Sequence, residues 1–264
     1  MRTDCVVYRL GVVAYETAWR LQDRLAAEIA TGDRPPTLLL LQHPHTYTFG
    51  RSGHIENLLW DQAELERRGV SVHWVDRGGD VTYHGPGQLV GYPLLPLIPG
   101  GLHQVSKNGK ARMPQADYVG YVRKVEETLI TALVHLGVVS GQVQGLTGVW
   151  VQPDAASHCR NCPPEQRQPA AKIAAIGVKV DVKGVSRHGF ALNIDPDMTY
   201  WDGIIGCGIK DHAVASLADF LNPVPSIQRV SDVIIAAFAD VFEYKMIEKS
   251  SSEVSQEVPF SVGA

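Results

Sequence analysis

Residues whose types and spacing suit chemistry crowd into one stretch, RGGDVTYHGPGQLVGYPLL, residues 77 to 95, where five glycines, a histidine and an arginine precede an apolar run. The glycines have the spacing of neither a dinucleotide fingerprint nor a Walker phosphate loop. They mark places where the backbone turns, or approaches a neighbour or a ligand that a Cβ would obstruct. In Gly85-Pro86-Gly87-Gln88 the proline sets φ at the first central position and the glycine accepts a positive φ at the second, the pattern of a type II turn. VTYH before the turn and LVGYPLL after it read as outgoing and returning strands, with Val81 and Tyr83 facing one way and Thr82 and His84 the other. From spacing alone, a glycine-rich hairpin and a ligand-lining segment account for this stretch equally well. His84, at a strand end beside a turn, taken alone is a structural histidine.

The cysteines are the other reactive group. Cys5, Cys159, Cys162 and Cys207 occur without a visible secretory signal, which predicts reduced thiols rather than a disulfide framework and leaves a thiol available to react. His158, Cys159 and Cys162 have ligand-like spacing, yet a structural zinc site wants four such ligands and a redox pair wants a helix N-terminus behind it. Residues 153–169 are therefore read as an exposed loop insertion. Residues 99–115, polar, glycine-rich and basic, read as a surface loop or a lid.

The elements that must position these residues follow from periodicity. CVVYRLGVV is a strand, and Tyr15, Ala18, Leu21, Leu25 and Ile29 have helical spacing up to Gly32. TLLLLQH is a buried strand, WDQAELERRG a short helix stopped by Gly69, and VSVHWVDR another strand. Tyr118, Val122, Val125, Leu129, Leu133 and Leu136 form the apolar face of a long helix. GVWVQ, KIAAIGVKVDVKG and HGFALNID are strands, and a last helix runs from about Ser226 to Tyr244. Strands adjacent in sequence predict an α/β (α+β) fold with a mixed sheet flanked by helices. One domain is expected over residues 1–246, with a frayed, disordered tail over 247–264. A net charge of -4 and a pI near 6.2 speak against a nucleic-acid partner. No apolar run is long enough to span a bilayer, so a cytoplasmic location without membrane attachment is expected.

The stretch 77–95 resembles the signature of the lipoyl(octanoyl) transferases almost residue for residue. The resemblance extends to KIAAIGVKV from Lys172, to SRHGFALNID from Ser186 and to GIIGCGIKD around Cys207, and it covers the chain from about Val6 to Tyr244. It implies a fold like the catalytic domains of biotin protein ligase and lipoate-protein ligase. It implies octanoyl transfer from an octanoyl-acyl carrier protein to a lysine of lipoyl domains, those of 2-oxoacid dehydrogenases and the glycine cleavage H protein, without a cofactor or metal. Cys207 falls at the family's catalytic cysteine and Lys172 at the lysine that raises its thiolate fraction and then takes the acceptor's proton. His84 is expected near the thioester. Arg77, Gly78, Gly79, Asp80, Val81, Thr82, Tyr83 and His84, then Ala175, Ile176 and Gly177, then Gly189, Phe190 and Ala191 are expected to line the substrate site. Glycines 78, 79, 177 and 189 would let backbone approach the acyl chain. Arg51, Lys179, Lys183 and Arg187 would form a basic patch for the acidic carrier. The two loop insertions, and Gly206 where the family commonly has proline, depart from the pattern. The alternatives are an ATP-dependent lipoate-protein ligase, an amidotransferase working between lipoyl domains, and a non-catalytic carrier-binding module; a required thiolate separates thioester exchange from the ligase.

Overall fold

A computed structural model of the chain describes residues 2–98, 117–152, 169–206 and 213–255. In chain order its elements are β1 (Thr3–Val12), α1 (Tyr15–Thr31), β2 (Thr37–Gln42), β3 (Thr46–Phe49), α2 (Gln62–Arg68), β4 (Ser71–Trp74), β5 (Val81–His84), β6 (Gln88–Leu94), α3 (Tyr118–His135), β7 (Ser140–Val143), β8 (Leu146–Val151), β9 (Ala171–Val180), β10 (Ser186–Asn193), α4 (Ile227–Val241), β11 (Tyr244–Lys249) and α5 (Ser252–Ser255). Helix boundaries follow their capping chemistry. Asp61 accepts from the Glu64 amide at the start of α2 and Ser226 from the Arg229 amide at the start of α4. At the end of α1, Gly32 takes a left-handed φ of 84° and returns its N–H to the last turn.

Among the described residues the strands form a large sheet in the order β11-β1-β2-β6-β10-β9-β8-β7 and a small one in the order β4-β3-β5. The large sheet is mixed: β11, β1 and β2 run parallel, while β6, β10, β9 and β8 pair antiparallel. Period-two alternation divides it between two cores. Leu38 and Leu40 of β2 point into the core made with α3 and α4, whereas Leu39 and Leu41 point into the core made with α1. Helices thus cover both faces, as buried strands on a mixed sheet require. A third cluster, with Tyr47, Phe49, Leu65, Val81 and Tyr83, closes the small sheet against α2.

Several expectations change. The turn at 85–88 is type II as read: the Gln88 amide donates to the Gly85 carbonyl at 3.1 Å and Gly87 has φ +84°. It does not close a hairpin, because β5 pairs with β3 and β6 pairs with β2 and β10. The turn instead carries the chain from one sheet to the other. The frayed tail does not begin at 247, since Tyr244–Lys249 pairs along β1 and Val254 is buried against the α1 core; residues 256–264 lie outside the described residues. Tyr118 is exposed at the start of α3, where Tyr121 and Glu126 join the buried face. The loop readings at 99–115 and 153–169 lie almost wholly outside the described residues. No helix among the described residues is long and apolar enough to cross a membrane.

Close approach of β6 and β10 depends on glycine. A Cβ built at Gly189 would fall on the Gly91 carbonyl oxygen and 2.6 Å from Pro93 Cδ, so the neighbouring strand by itself requires a glycine there. Gly189→Ala is therefore expected to destabilise by about 1–3 kcal/mol, the usual cost of overpacking. Gly141→Ala, with nothing within 4 Å of its Cβ, is expected to leave stability unchanged. Equal denaturant midpoints for the two variants would contradict this packing.

Candidate functional site

A cavity of about 210 Å³ lies between the β6–β10–β9 face of the large sheet and the β5 strand of the small one. Thr82 and His84 reach it from β5, because the alternation of that strand sends Val81 and Tyr83 into the small core instead. Gly78, Gly79 and Asp80 border it from the preceding loop, and Val90, Tyr92, Ile176, Phe190 and Ala191 give it apolar walls.

Lys172, on β9, is 9% exposed and lines the same cavity. Its ammonium nitrogen stands 4.8 Å from the centre of the Trp150 ring, a cation–π placement. Gly148, at φ +121°, makes room for the lysine stem: a Cβ there would meet Lys172 Cε at 3.5 Å and the Ala174 carbonyl oxygen at 2.7 Å. The Gly148 amide is held in turn by the buried Glu126 carboxylate at 3.1 Å. The Lys172 backbone pairs outward, its N–H donating to the Ala213 carbonyl at 2.9 Å and its carbonyl accepting from the Ala215 amide at 3.0 Å. A second small hollow beside the cavity is bordered by Lys172, Val214 and Trp201, and Gly206 packs on the Trp201 ring.

Buried hydrogen bonds order the cavity wall. Arg77, 7% exposed, donates to the Thr48 carbonyl and hydroxyl. The Gln88 side-chain amide donates to the Tyr83 carbonyl and to Asn193 Oδ1 at 2.8 Å, leaving Gln88 Oε1 to accept from His84 Nδ1 at 2.9 Å. His84 Nε2 is then the acceptor, and the Thr48 hydroxyl lies 3.4 Å away to donate to it. Asn193 Nδ2 continues to the Ala215 carbonyl. Burial holds His84 well below the usual histidine range, with the nearby His43 adding to the effect. It is a neutral ring with both nitrogens engaged, suited to orient its neighbours rather than to exchange a proton.

At the other end, burial lowers His43 to about 4, and its Nε2 accepts from the Tyr92 hydroxyl at 2.7 Å. His188 lines the cavity at φ +56°, a left-handed conformation unusual for a residue with a side chain. Its Nε2–H donates to Asp76 at 2.8 Å and its Nδ1 faces the Tyr15 hydroxyl. Asp76 is held down to about 2, first by that bond and then by Lys179.

Of the expected lining residues, Arg77, Gly78, Gly79, Asp80, Thr82, His84, Ala175, Ile176, Gly177, Gly189, Phe190 and Ala191 border the cavity together with Lys172. Val81 and Tyr83 do not, because they fill the small core. Cys207 lies outside the described residues. The basic patch loses two members: Lys179 and Arg187 are ion-paired to Asp76, and Arg187 also to Asp23. Gly177 also serves its own fold, since a Cβ there would meet Arg77 Cδ at 3.0 Å and the Gly78 carbonyl oxygen at 3.1 Å. Tyr15, Tyr92 and His188 were missed. His188 stands within SRHGFALNID, yet a positive φ at a non-glycine residue leaves no mark in composition.

The family model described as the lipoyl protein ligase A/B catalytic domain matches residues 14–239. The chain is 45% identical over 242 residues to an octanoyltransferase of Chloroflexus aurantiacus, covering 92% of this chain and 95% of that one. It is 42% identical over 251 residues to the octanoyltransferase of Chloroflexus aggregans, covering 95% and 100%. Among solved structures it superposes on the bipartite lipoate protein ligase of Thermoplasma acidophilum with a TM-score of 0.68 at 16% identity, covering 97% of this chain and 92% of that one. Against a lipoate-protein ligase A bound with ATP the TM-score is 0.61 at 16% identity, covering 98% and 94%. These structures share the expected fold.

The buried histidines set a pH dependence. His43, His84 and His188 are all depressed by burial, so the unfolded chain binds more protons than the folded one once pH falls through the ordinary histidine value of 6.5. Their contribution is complete above that value and is lost on acidification towards the folded values, about 4 for His43. The denaturant midpoint is expected to fall between about pH 7 and about pH 5, before ordinary carboxylates titrate. A flat profile over that interval would show that these rings are not buried as neutral bases.

Proposed function

The chain belongs to the octanoyltransferases of the lipoyl protein ligase A/B catalytic family, and from that premise we propose that Cys207 and Lys172 carry out the transfer as a nucleophile and its acid–base partner. Octanoyl transfer in protein lipoylation takes an acyl carrier protein as donor and lipoyl domains as acceptors. The acceptors proposed here are the lipoyl domains of 2-oxoacid dehydrogenases and the glycine cleavage H protein.

The observation that carries the assignment is the pairing of Lys172 with the segment just after Cys207. Gly206, immediately before the cysteine, packs on Trp201, which borders the Lys172 hollow. Ala213 and Ala215, beyond it, hydrogen-bond to the Lys172 backbone. The backbone contact of Lys172 with Ala213 and Ala215, and the nearness of Gly206 to a wall of the same hollow, support this pairing. A thiolate at Cys207 beside the Lys172 ammonium attacks the donor's thioester carbonyl carbon. The carbon–sulfur bond to the carrier breaks, and the departing thiolate takes the Lys172 proton. That leaves an octanoyl thioester on Cys207 and a neutral lysine. The amine of the acceptor lysine then attacks the same carbon and gives its proton to Lys172. The bond to Cys207 breaks, the amide leaves, and the ion pair is restored. The apolar walls from Val90, Ile176 and Phe190 suit the alkyl chain.

Intact mass after brief incubation with octanoyl-acyl carrier protein, without ATP, is expected to show one octanoyl group that hydroxylamine removes. Cys207→Ser is expected to lack it, and Lys172→Met to slow turnover by about 10²–10⁴-fold. If acylation of a lipoyl domain appears only with ATP and free octanoate, an adenylating ligase mechanism replaces this one.

A further inference from the structure

We infer that Glu126 is a positioning residue for Lys172, fixing the lysine's seat by holding the Gly148 amide from helix α3. The inference rests on the reading of Lys172 as the acid–base partner. Among the described residues Glu126 is the one buried acid and Lys172 the one buried lysine, and Gly148 stands between them. A Cβ at Gly148 would meet Lys172 Cε at 3.5 Å and Cδ at 3.6 Å, so the lysine stem packs directly on that stretch of backbone. The Gly148 amide donates to Glu126 Oε1 at 3.1 Å. Glu126 Oε2 accepts from the Gln142 side-chain amide at 2.7 Å and from Arg123 at 2.6 Å. Burying a carboxylate is costly unless hydrogen bonds replace its water. Here the donors come from three elements, Arg123 of α3, Gln142 of β7 and Gly148 of β8.

The sheet needs an anchor at this point. β8 and β9 pair Val149 with Ala174 but Trp150 with Lys172, so Ile173 is an extra residue on β9 and the ladder slips beside the lysine. Such a bulge disrupts the local hydrogen bonds and re-aims neighbouring side chains. At the same level Gly148, with φ +121°, gives its N–H to the helix. Gly145, Leu146 and Thr147, where β7 turns into β8, border the cavity together with Lys172. By bonding Gln142 on one strand and Gly148 on the other, a single carboxylate clamps the hairpin on which the lysine stem packs. The bond to Gly148 calls for an acceptor oxygen at that reach and not for a negative charge, which separates positioning from an electrostatic effect on the ammonium.

The test is the single-turnover acylation rate of the full chain by octanoyl-acyl carrier protein, measured across pH for Glu126→Asp and Glu126→Gln beside wild type and Lys172→Met. Glu126→Asp keeps a charge for Arg123 but withdraws the oxygen from Gly148. It is expected to slow acylation by about 10–10²-fold with KM for the carrier unchanged. It is also expected to move half-maximal acylation to higher pH, since a displaced ammonium favours the Cys207 thiolate less. Glu126→Gln keeps an acceptor oxygen at the same reach and is expected to retain the wild-type rate and pH profile. Denaturant midpoints are measured for each protein, and rates are taken under conditions where all are folded. A Glu126→Asp protein that loses stability yet acylates at the wild-type rate with an unchanged pH profile overturns the inference. So does the reverse order, with Glu126→Gln slow and Glu126→Asp fast, which would mark an effect of charge. Wild-type protein that forms no acyl-enzyme, or a Lys172→Met protein that matches wild type, removes the reading of Lys172 and the role of Glu126 with it.

Discussion

Two sheets that share no strand pairing face each other across the cavity, and what joins their polar edges is a run of buried hydrogen bonds from Arg77 through Thr48, His84, Gln88 and Asn193 to the Ala215 carbonyl. A buried polar run of this kind stabilises only if each member is satisfied, since one idle group costs its full desolvation. Satisfaction fixes the ring tautomer of His84 and the amide orientation of Gln88. It also ties the β5 wall to the segment that pairs with Lys172, so the cavity and the chain from Ala213 onward share one frame.

Against that background the polar groups sort into two kinds. Those in the run are occupied by one another and define shape. Lys172, by contrast, is seated by apolar and backbone means: the Trp150 ring, the gap left by Gly148, and the ladder to Ala213 and Ala215. Packing thus fixes the lysine stem at the cavity wall. Glu126 acts one step further back, holding the Gly148 amide from helix α3.

The ionic cluster around Asp76 divides surface charge in an unexpected way. Lys179, Arg187 and His188 converge on one carboxylate, so positive charges that look available for an acidic partner are spent within the fold. Arg51 and Lys183, by contrast, are exposed. The cluster also holds His188 against its left-handed backbone, giving a strained residue enough partners to stay there.

How much was legible in the sequence follows from the kind of interaction involved. Local rules sufficed for the helices and for the type II turn, because capping residues, period and proline–glycine geometry act within a few residues. Alternation correctly set Thr82 and His84 opposite Val81 and Tyr83, although counting Val81 and Tyr83 as lining ignored that same alternation. The motif resemblance identified the family. By itself, then, the sequence determined the main helices, eight of the described strands and the transferase family, while β3, β7 and β11 emerge only in the structure. Tertiary structure alone decided that β5 and β6 part into different sheets, that Gly189 serves its neighbouring strand, that the chain after α4 adds a strand at the sheet edge, and that Lys179 and Arg187 turn inward. Each of those depends on which distant backbone or charge comes within a few ångströms, and no period or spacing along one chain encodes that distance.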